Sequence, residues 1–175
     1  AFGLRGWSWQ SGERGYGGAD PAWPLWNEGR GLRVVIAHSL GIHLLPEPIL
    51  AAAEAVVLLA SFGRFVPPGP AGRRLHLALE AMAAQLDSPE SASTMLRTFL
   101  NEAAAPEPVE LLPSGPADRR LGAPERQRLR DDLQLLGRCD GLPAGFPAGI
   151  PVLVVEAGAD RIVVPEAREL LRRDL

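Results

Sequence analysis

The sequence has no lysine, a single cysteine and only three histidines, and each scarcity limits what the chain can do. All 18 basic residues are arginine, so a phosphate-binding loop that depends on lysine is excluded. The lone Cys139 excludes an intrachain disulfide, and no His/Cys group has the spacing of a zinc site. The net charge of −3, and arginines without interleaved aromatic residues, give no support for nucleic-acid binding.

Long hydrophobic runs are also missing, because none reaches the roughly 18 residues that a membrane-spanning helix needs. The N-terminus does not have the pattern of a signal peptide. We therefore expect a cytoplasmic protein that binds neither a membrane nor nucleic acid and needs no metal or cofactor. The chain nevertheless has 46% hydrophobic residues, which is the composition of a globular domain.

Three short apolar runs have the pattern of strands that are buried on both faces, at residues 32–37, 55–60 and 152–155. Between the first two we expect a helix that Pro46 and Pro48 disturb. Strands joined by helical crossovers predict a parallel sheet. The alternating residues 7–10 are a candidate for one further short strand.

The stretch between the second and third runs reads as helical, with apolar faces over residues 73–86, 88–100 and 129–136. Ser88-Pro89-Glu90 is a typical helix start, and Val164-Pro165-Glu166 begins a last helix. A helical insertion inside a parallel sheet often forms a lid. The sequence thus divides into a first core part (1–65), a helical lid (66–146) and a second core part (147–175).

The pentapeptide Ala-His-Ser-Leu-Gly at 37–41 follows the first strand directly and precedes the predicted helix. Small residues on both sides of Ser39 fit a nucleophile elbow, a sharp strand-to-helix turn that lifts a serine hydroxyl above the sheet. The same turn would let the Leu40 N–H donate to a developing oxyanion. The alternative is an ordinary turn in which Ser39 caps the helix. The strand–turn–helix context favours the nucleophile.

Asp160 follows the third strand in a Gly-Ala-Asp turn. In the α/β-hydrolase fold the catalytic triad runs serine, acid, histidine along the chain, so Asp160 is the candidate acid. The alternative is an aspartate that only accepts hydrogen bonds within its own turn. No histidine follows Asp160, and His38, His43 and His76 are all poorly placed to act as the base.

Several segments resemble the pimeloyl-acyl-carrier-protein methyl ester esterases of biotin synthesis, and among them the cyanobacterial-type members. The resemblance covers most of the chain from about Glu13 on. The elbow and acid motifs are common to α/β-hydrolases, whereas the Arg-Gly-Tyr of residues 14–16 and the lid segments favour the biotin esterases. The matching segments are residues 34–65, 95–100, 129–136 and 151–167.

The resemblance implies an α/β-hydrolase fold, with a mostly parallel sheet and a helical lid, and a serine carboxylesterase that acts through an acyl-enzyme. Its substrate would be a small-molecule ester or a methyl ester carried on acyl carrier protein. Arg97 is a candidate contact for that acidic carrier. The alternative, which has equal weight, is that Arg97 is a solvated surface residue. For the other lid arginines, pairing with nearby acids is favoured, namely for Arg119, Arg120, Arg126 and Arg130.

Two features of that family are missing from this sequence: an early His-Gly-x-Gly loop, which supplies the second oxyanion donor, and a histidine after the acid. Residues 1–6 are interpreted as the end of a helix, and the chain as an internal part of an esterase without the N- and C-terminal parts of the fold. Such a chain is expected to be inactive. The alternatives are a general esterase or lipase of the same fold and a catalytically dead binding protein.

Overall fold

The computed structural model describes residues 6–16, 20–29, 31–112, 115 and 118–175. Within them, three strands form one parallel sheet in the order β1-β2-β3, with β1 at Val34–His38, β2 at Ala55–Leu59 and β3 at Val152–Val155. The helices are α1 (Gly41–Leu44), α2 (Glu47–Ala51), α3 (Pro70–Ala84), α4 (Pro89–Ala104), α5 (Ala123–Arg138) and α6 (Pro165–Asp174). Short 3₁₀ turns lie at Gln85–Asp87 and Val109–Leu111.

The chain is therefore a mixed α/β structure with a small, open, three-stranded parallel sheet, as the crossover pattern predicts. The expected disturbance of the first crossover is also found, because Pro46 has an extended backbone and separates α1 from α2. Ser88 caps α4 as its sequence indicates, since its hydroxyl accepts a hydrogen bond of 3.1 Å from the Ser91 N–H.

The expectation of a strand at residues 7–10 is wrong, because these residues form no strand and Trp7 and Trp9 are exposed. An alternating segment becomes a strand only beside a pairing partner. In the part of the chain that the structure describes, the nearest pairing is a single antiparallel bridge between Glu13 and Ala22. Of the helix end expected at residues 1–6, only Gly6 is described, and it lies in a turn; residues 1–5 and Gly17 lie outside the described residues.

Two apolar clusters form the core. The first packs one face of the sheet against α1, α2 and α6, through Ile42, Leu50 and Leu171. The second joins α3, α4 and α5 to the segments that follow β2 and β3, through Phe62 and Val163. The helical insertion thus packs against the carboxyl-terminal edge of the sheet, where parallel α/β sheets hold their functional residues.

The other face of the sheet is open. Ile36, Leu153 and Val155 are 55%, 58% and 45% exposed, although apolar strands of a parallel sheet are ordinarily covered on both faces. Both crossovers advance across the sheet in the same direction, so right-handed connections pass on the same side of it, where α1, α2, Leu142 and Phe146 pack. No helix in the described part of the chain has the length and apolar character needed to cross a membrane.

Candidate functional site

Ser39 sits in a strained turn between β1 and α1. Its φ is +52°, which is uncommon for a residue other than glycine. Residue 40, and not Ser39, holds the N-cap position of α1, and no side chain caps that helix. A capping serine ordinarily has an extended backbone. The geometry therefore departs from the ordinary capped turn that was the alternative interpretation of this motif.

The end of β2 holds this turn in place. The Ser39 N–H donates to the Leu59 carbonyl over 2.9 Å, and the Ala60 N–H donates to the Val155 carbonyl over 2.8 Å. Ala60 itself has a φ of +44°, so two adjacent strands end in left-handed residues at the same edge. The next residue, the buried Ser61, has its hydroxyl 3.4 Å from the Ala37 carbonyl, on the other side of the Ser39 turn.

Asp160 lies in the loop after β3, and its backbone neighbours fix its carboxylate. Its Oδ1 accepts hydrogen bonds from the N–H groups of Ile162 at 2.8 Å and Val163 at 2.9 Å. The side chain is half-buried. These hydrogen bonds are the ones expected of an aspartate that stabilises its own turn, which was the alternative interpretation of Asp160. They also hold the carboxylate in one orientation and leave Oδ2 outside both bonds, which a triad acid requires.

Ser39 and Asp160 follow strands that are both neighbours of β2, at the same edge of the sheet. Neighbouring strands lie about 4.8 Å apart, so these two strands are about 10 Å apart. A triad places an imidazole between a serine hydroxyl and a carboxylate. The sheet thus brings both predicted catalytic residues to one edge, but it provides no such imidazole from the described residues.

Two of the three histidines have other partners, and the third is exposed. The Nε2 of His43 lies 2.8 Å from the Phe62 carbonyl, and its ring stacks on the Phe62 ring with centroids 5.5 Å apart. Because a carbonyl only accepts, Nε2 carries the proton and donates. Burial lowers the pKa of His43, so the ring is neutral at pH 7. His76 pairs with Glu80 on the surface of α3, and His38 is exposed at the end of β1.

The remaining candidate residues are Leu40 and the lid arginines. No backbone hydrogen bond from the Leu40 N–H is found among the described residues, which suits a donor reserved for an oxyanion. Arg97 is exposed on α4 and forms no ion pair within the described ranges. Three of the other lid arginines pair with acids, in the pairs Arg119–Glu125, Arg120–Glu90 and Arg130–Asp87, and Arg126 donates to the carbonyls of Leu86 and Leu121.

A groove of about 170 Å³ lies beside the elbow, between β1 and the segment that precedes it. Its walls include Trp23, His38 and Leu44. A second groove, of about 300 Å³, lies between α3 and α5, away from Ser39. Within the described residues, no three potential metal ligands come together.

Comparisons of the chain with protein-family models, with curated proteins and with solved structures gave no match. Function must therefore be argued from the Ser39 turn and its surroundings. Sequence reasoning missed the contribution of Ala60 and Ser61, because a left-handed alanine carries no sequence signature. The only available signal was a serine just after an apolar strand.

Proposed function

We propose that this chain belongs to a serine carboxylesterase of the α/β-hydrolase fold, with Ser39 as nucleophile and Asp160 as triad acid. The observation that carries the proposal is the left-handed backbone of Ser39, at the carboxyl end of a parallel strand and directly before a helix. A left-handed residue other than glycine costs about 1–2 kcal/mol, and such strain concentrates at functional sites.

In the proposed reaction the Ser39 Oγ attacks the ester carbonyl carbon while a histidine accepts the hydroxyl proton. The Leu40 N–H donates to the resulting oxyanion. The alcohol leaves with that proton, and water then hydrolyses the acyl-enzyme to release the acid. Asp160 would orient the histidine, which none of the three in this sequence provides.

Hydrolysis of p-nitrophenyl butyrate tests the proposal. The product of the natural gene should hydrolyse this ester, and Ser39→Ala should lower kcat/KM by about 10³-fold or more. Ser93→Ala, on α4, is the control serine substitution and should retain most activity. Residues 1–175 alone should be no faster than their Ser39→Ala form. Turnover by the natural product that survives Ser39→Ala would refute the proposal.

For the substrate, we propose a methyl ester carried on acyl carrier protein, which rests on the sequence resemblance and on the exposed, unpaired position of Arg97 among the described residues. Attraction to an acidic carrier weakens with salt, whereas a small neutral ester should not respond. Arg97→Glu should therefore raise KM for the carrier-linked ester alone, and Arg120→Glu, at an arginine paired with Glu90, should not. Equal effects of Arg97→Glu on both substrates would indicate a structural role.

A general esterase or lipase of the same fold would show the same Ser39-dependent turnover without preference for the carrier-linked ester. A catalytically dead binding protein is favoured by one observation, the engagement of His43 with Phe62 and of His76 with Glu80. It predicts no Ser39-dependent turnover in the natural gene product.

A further inference from the structure

A short segment before β1 folds back onto the helical insertion. These residues, 13–16, are here named the strap. The backbone of Glu13 pairs with Ala22 through two hydrogen bonds of 2.8 Å, and the Glu13 carboxylate accepts from the Gly15 N–H at 2.6 Å. Gly15 has a φ of +82°, so the chain turns there and directs Arg14 and Tyr16 toward α5.

Helix α5 meets the strap with a row of charged side chains, Glu125, Arg128 and Asp132. Their spacing of three and four residues places them on one face of the helix. This row is here named the polar stripe. Two of its members are buried carboxylates, since Glu125 and Asp132 are among the few buried charged residues of the described chain.

Asp132 is the centre of the contact. The Arg14 Nε donates to its two carboxylate oxygens at 3.0 and 3.2 Å, and the Tyr16 hydroxyl donates to the same carboxylate. Arg128 donates to the Gly15 carbonyl at 2.9 Å. Hydrogen bonds to a charged group are the stronger kind, and burial weakens their screening by salt.

Arg119, in the segment before α5, contacts both the polar stripe and the strap. Arg119 forms an ion pair with Glu125 and donates to the Tyr16 carbonyl at 2.5 Å. This ion pair holds the pKa of Glu125 below its usual value. The Glu125 carboxylate is thus ionised at neutral pH. Every residue of the strap from Arg14 to Tyr16 contacts α5 or the segment before it.

A neighbouring face of α5 packs into an apolar cluster that reaches the candidate site. Leu129, Leu133 and Leu136 belong to the same apolar cluster as Leu40, the residue after Ser39. Cys139, which follows α5, is buried in that cluster too. The helix therefore contacts both the strap and the apolar cluster that includes Leu40.

We infer that the strap and the polar stripe form an ionic latch, centred on the Asp132 carboxylate, that holds α5 docked and is released by local opening of α5. Release would detach the helix from the cluster around Leu40. Under the proposed function, and resting on it, the latch would then regulate entry of ester to Ser39. The latch itself does not depend on that function.

Cys139, the only cysteine of the chain, reports the opening directly. Burial raises the pKa of its thiol to about 11, so labelling by a thiol reagent in the closed state is slow. In residues 1–175, Asp132→Asn should label Cys139 about tenfold faster or more, because a charged hydrogen-bond network is lost. Tyr16→Phe, which removes one bond to the same carboxylate, should accelerate labelling by a smaller factor of about threefold.

Asp131→Asn is the matched control, because Asp131 is the adjacent, exposed residue and bonds only to Gln127 among the described residues. It should leave the labelling rate unchanged. The rate of Cys139 labelling should depend weakly on urea concentration, because local opening exposes little surface. A rate that required global unfolding would depend on urea concentration steeply.

Equal rates for Asp131→Asn and Asp132→Asn would overturn the latch. So would a urea dependence equal to that of global unfolding, which would mean that α5 detaches only when the whole chain unfolds. If Asp132→Asn fails to fold, the rate for Tyr16→Phe decides between the same outcomes. None of these readouts involves Ser39, so a failure of the esterase proposal and a failure of the latch are distinguishable.

Discussion

At the scale of single residues, the evidence for the role of Ser39 is its backbone conformation and not its side-chain contacts. A serine at a φ of +52° stays in place because the surrounding structure holds it there. The Leu59 carbonyl and the buried Ser61 supply part of that restraint. The sequence motif predicts the turn, but it does not reveal which neighbours hold it.

Replacing Ser39 with glycine tests this strain. Glycine accepts a positive φ without steric cost, so Ser39→Gly should be more stable than Ser39→Ala by about 1 kcal/mol in urea unfolding. Ser93, in the interior of α4, is the control position, where glycine should instead be less stable than alanine by about 1 kcal/mol. Alanine more stable than glycine at both positions would contradict a strained Ser39.

Burial of His43 predicts a pH dependence of stability. Its folded pKa lies below the ordinary 6.5, so the unfolded chain binds more protons than the folded chain in the window just below pH 6.5. Stability should therefore rise with pH through that window and be lost as the pH falls below 6.5.

The measurement is the urea midpoint between about pH 5 and 7. His43→Gln should flatten the rise, and His76→Gln, at an exposed histidine, should not. A profile that is unchanged by His43→Gln would show that this imidazole does not lose protons on folding.

At the scale of elements, the positions of strands and helices follow from local pattern. The apolar runs predict all three strands to within two residues, and Pro46 and Ser88 mark a helix break and a helix start. The failure at residues 7–10 has a physical cause. Their alternation would need a neighbouring strand, and propensity alone does not supply one.

Replacing each of two helical glycines with alanine should change the stability of the chain in opposite directions. A Cβ on Gly72, in the first turn of α3, would lie 1.7 Å from the Pro67 carbonyl oxygen, whereas a Cβ on Gly137, near the end of α5, would make only an ordinary contact at 3.9 Å with Leu79. Gly72→Ala should therefore destabilise the chain by about 2 kcal/mol or more, through a forced backbone shift. Gly137→Ala should stabilise it by up to about 1 kcal/mol. Thermal unfolding checks both, and Gly72→Ala without a loss of stability would contradict the close approach to Pro67.

At the scale of the whole molecule, contacts between distant parts of the chain are what the sequence could not show. Arg14 and Asp132 are 118 residues apart, and nothing in their local patterns pairs them. The sequence instead suggested that the lid arginines pair with acids close to them along the chain. By contrast, the position of Ser39 and Asp160 after strands that end at one sheet edge was predictable, because parallel strands end together.

Because both crossovers pass on the same side of the sheet, its other face is apolar and open. This open face predicts self-association of residues 1–175. Leu153→Lys, on that face, should reduce light scattering and binding of a hydrophobic dye with little loss of stability. Leu58→Lys, on the covered face of β2, buries a charge and should unfold the chain. Equal destabilisation by both changes would mean that the Leu153 face is also covered.

The most direct test of the central claim is to map the site at which a fluorophosphonate probe reacts. In the product of the natural gene, peptide mass spectrometry should find the probe on Ser39. Ser39→Ala should abolish labelling, Asp160→Asn should slow it by about tenfold or more, and Ser93→Ala, on α4, should leave it nearly unchanged. Labelling of another residue, or labelling that persists in Ser39→Ala, would contradict Ser39 as the nucleophile.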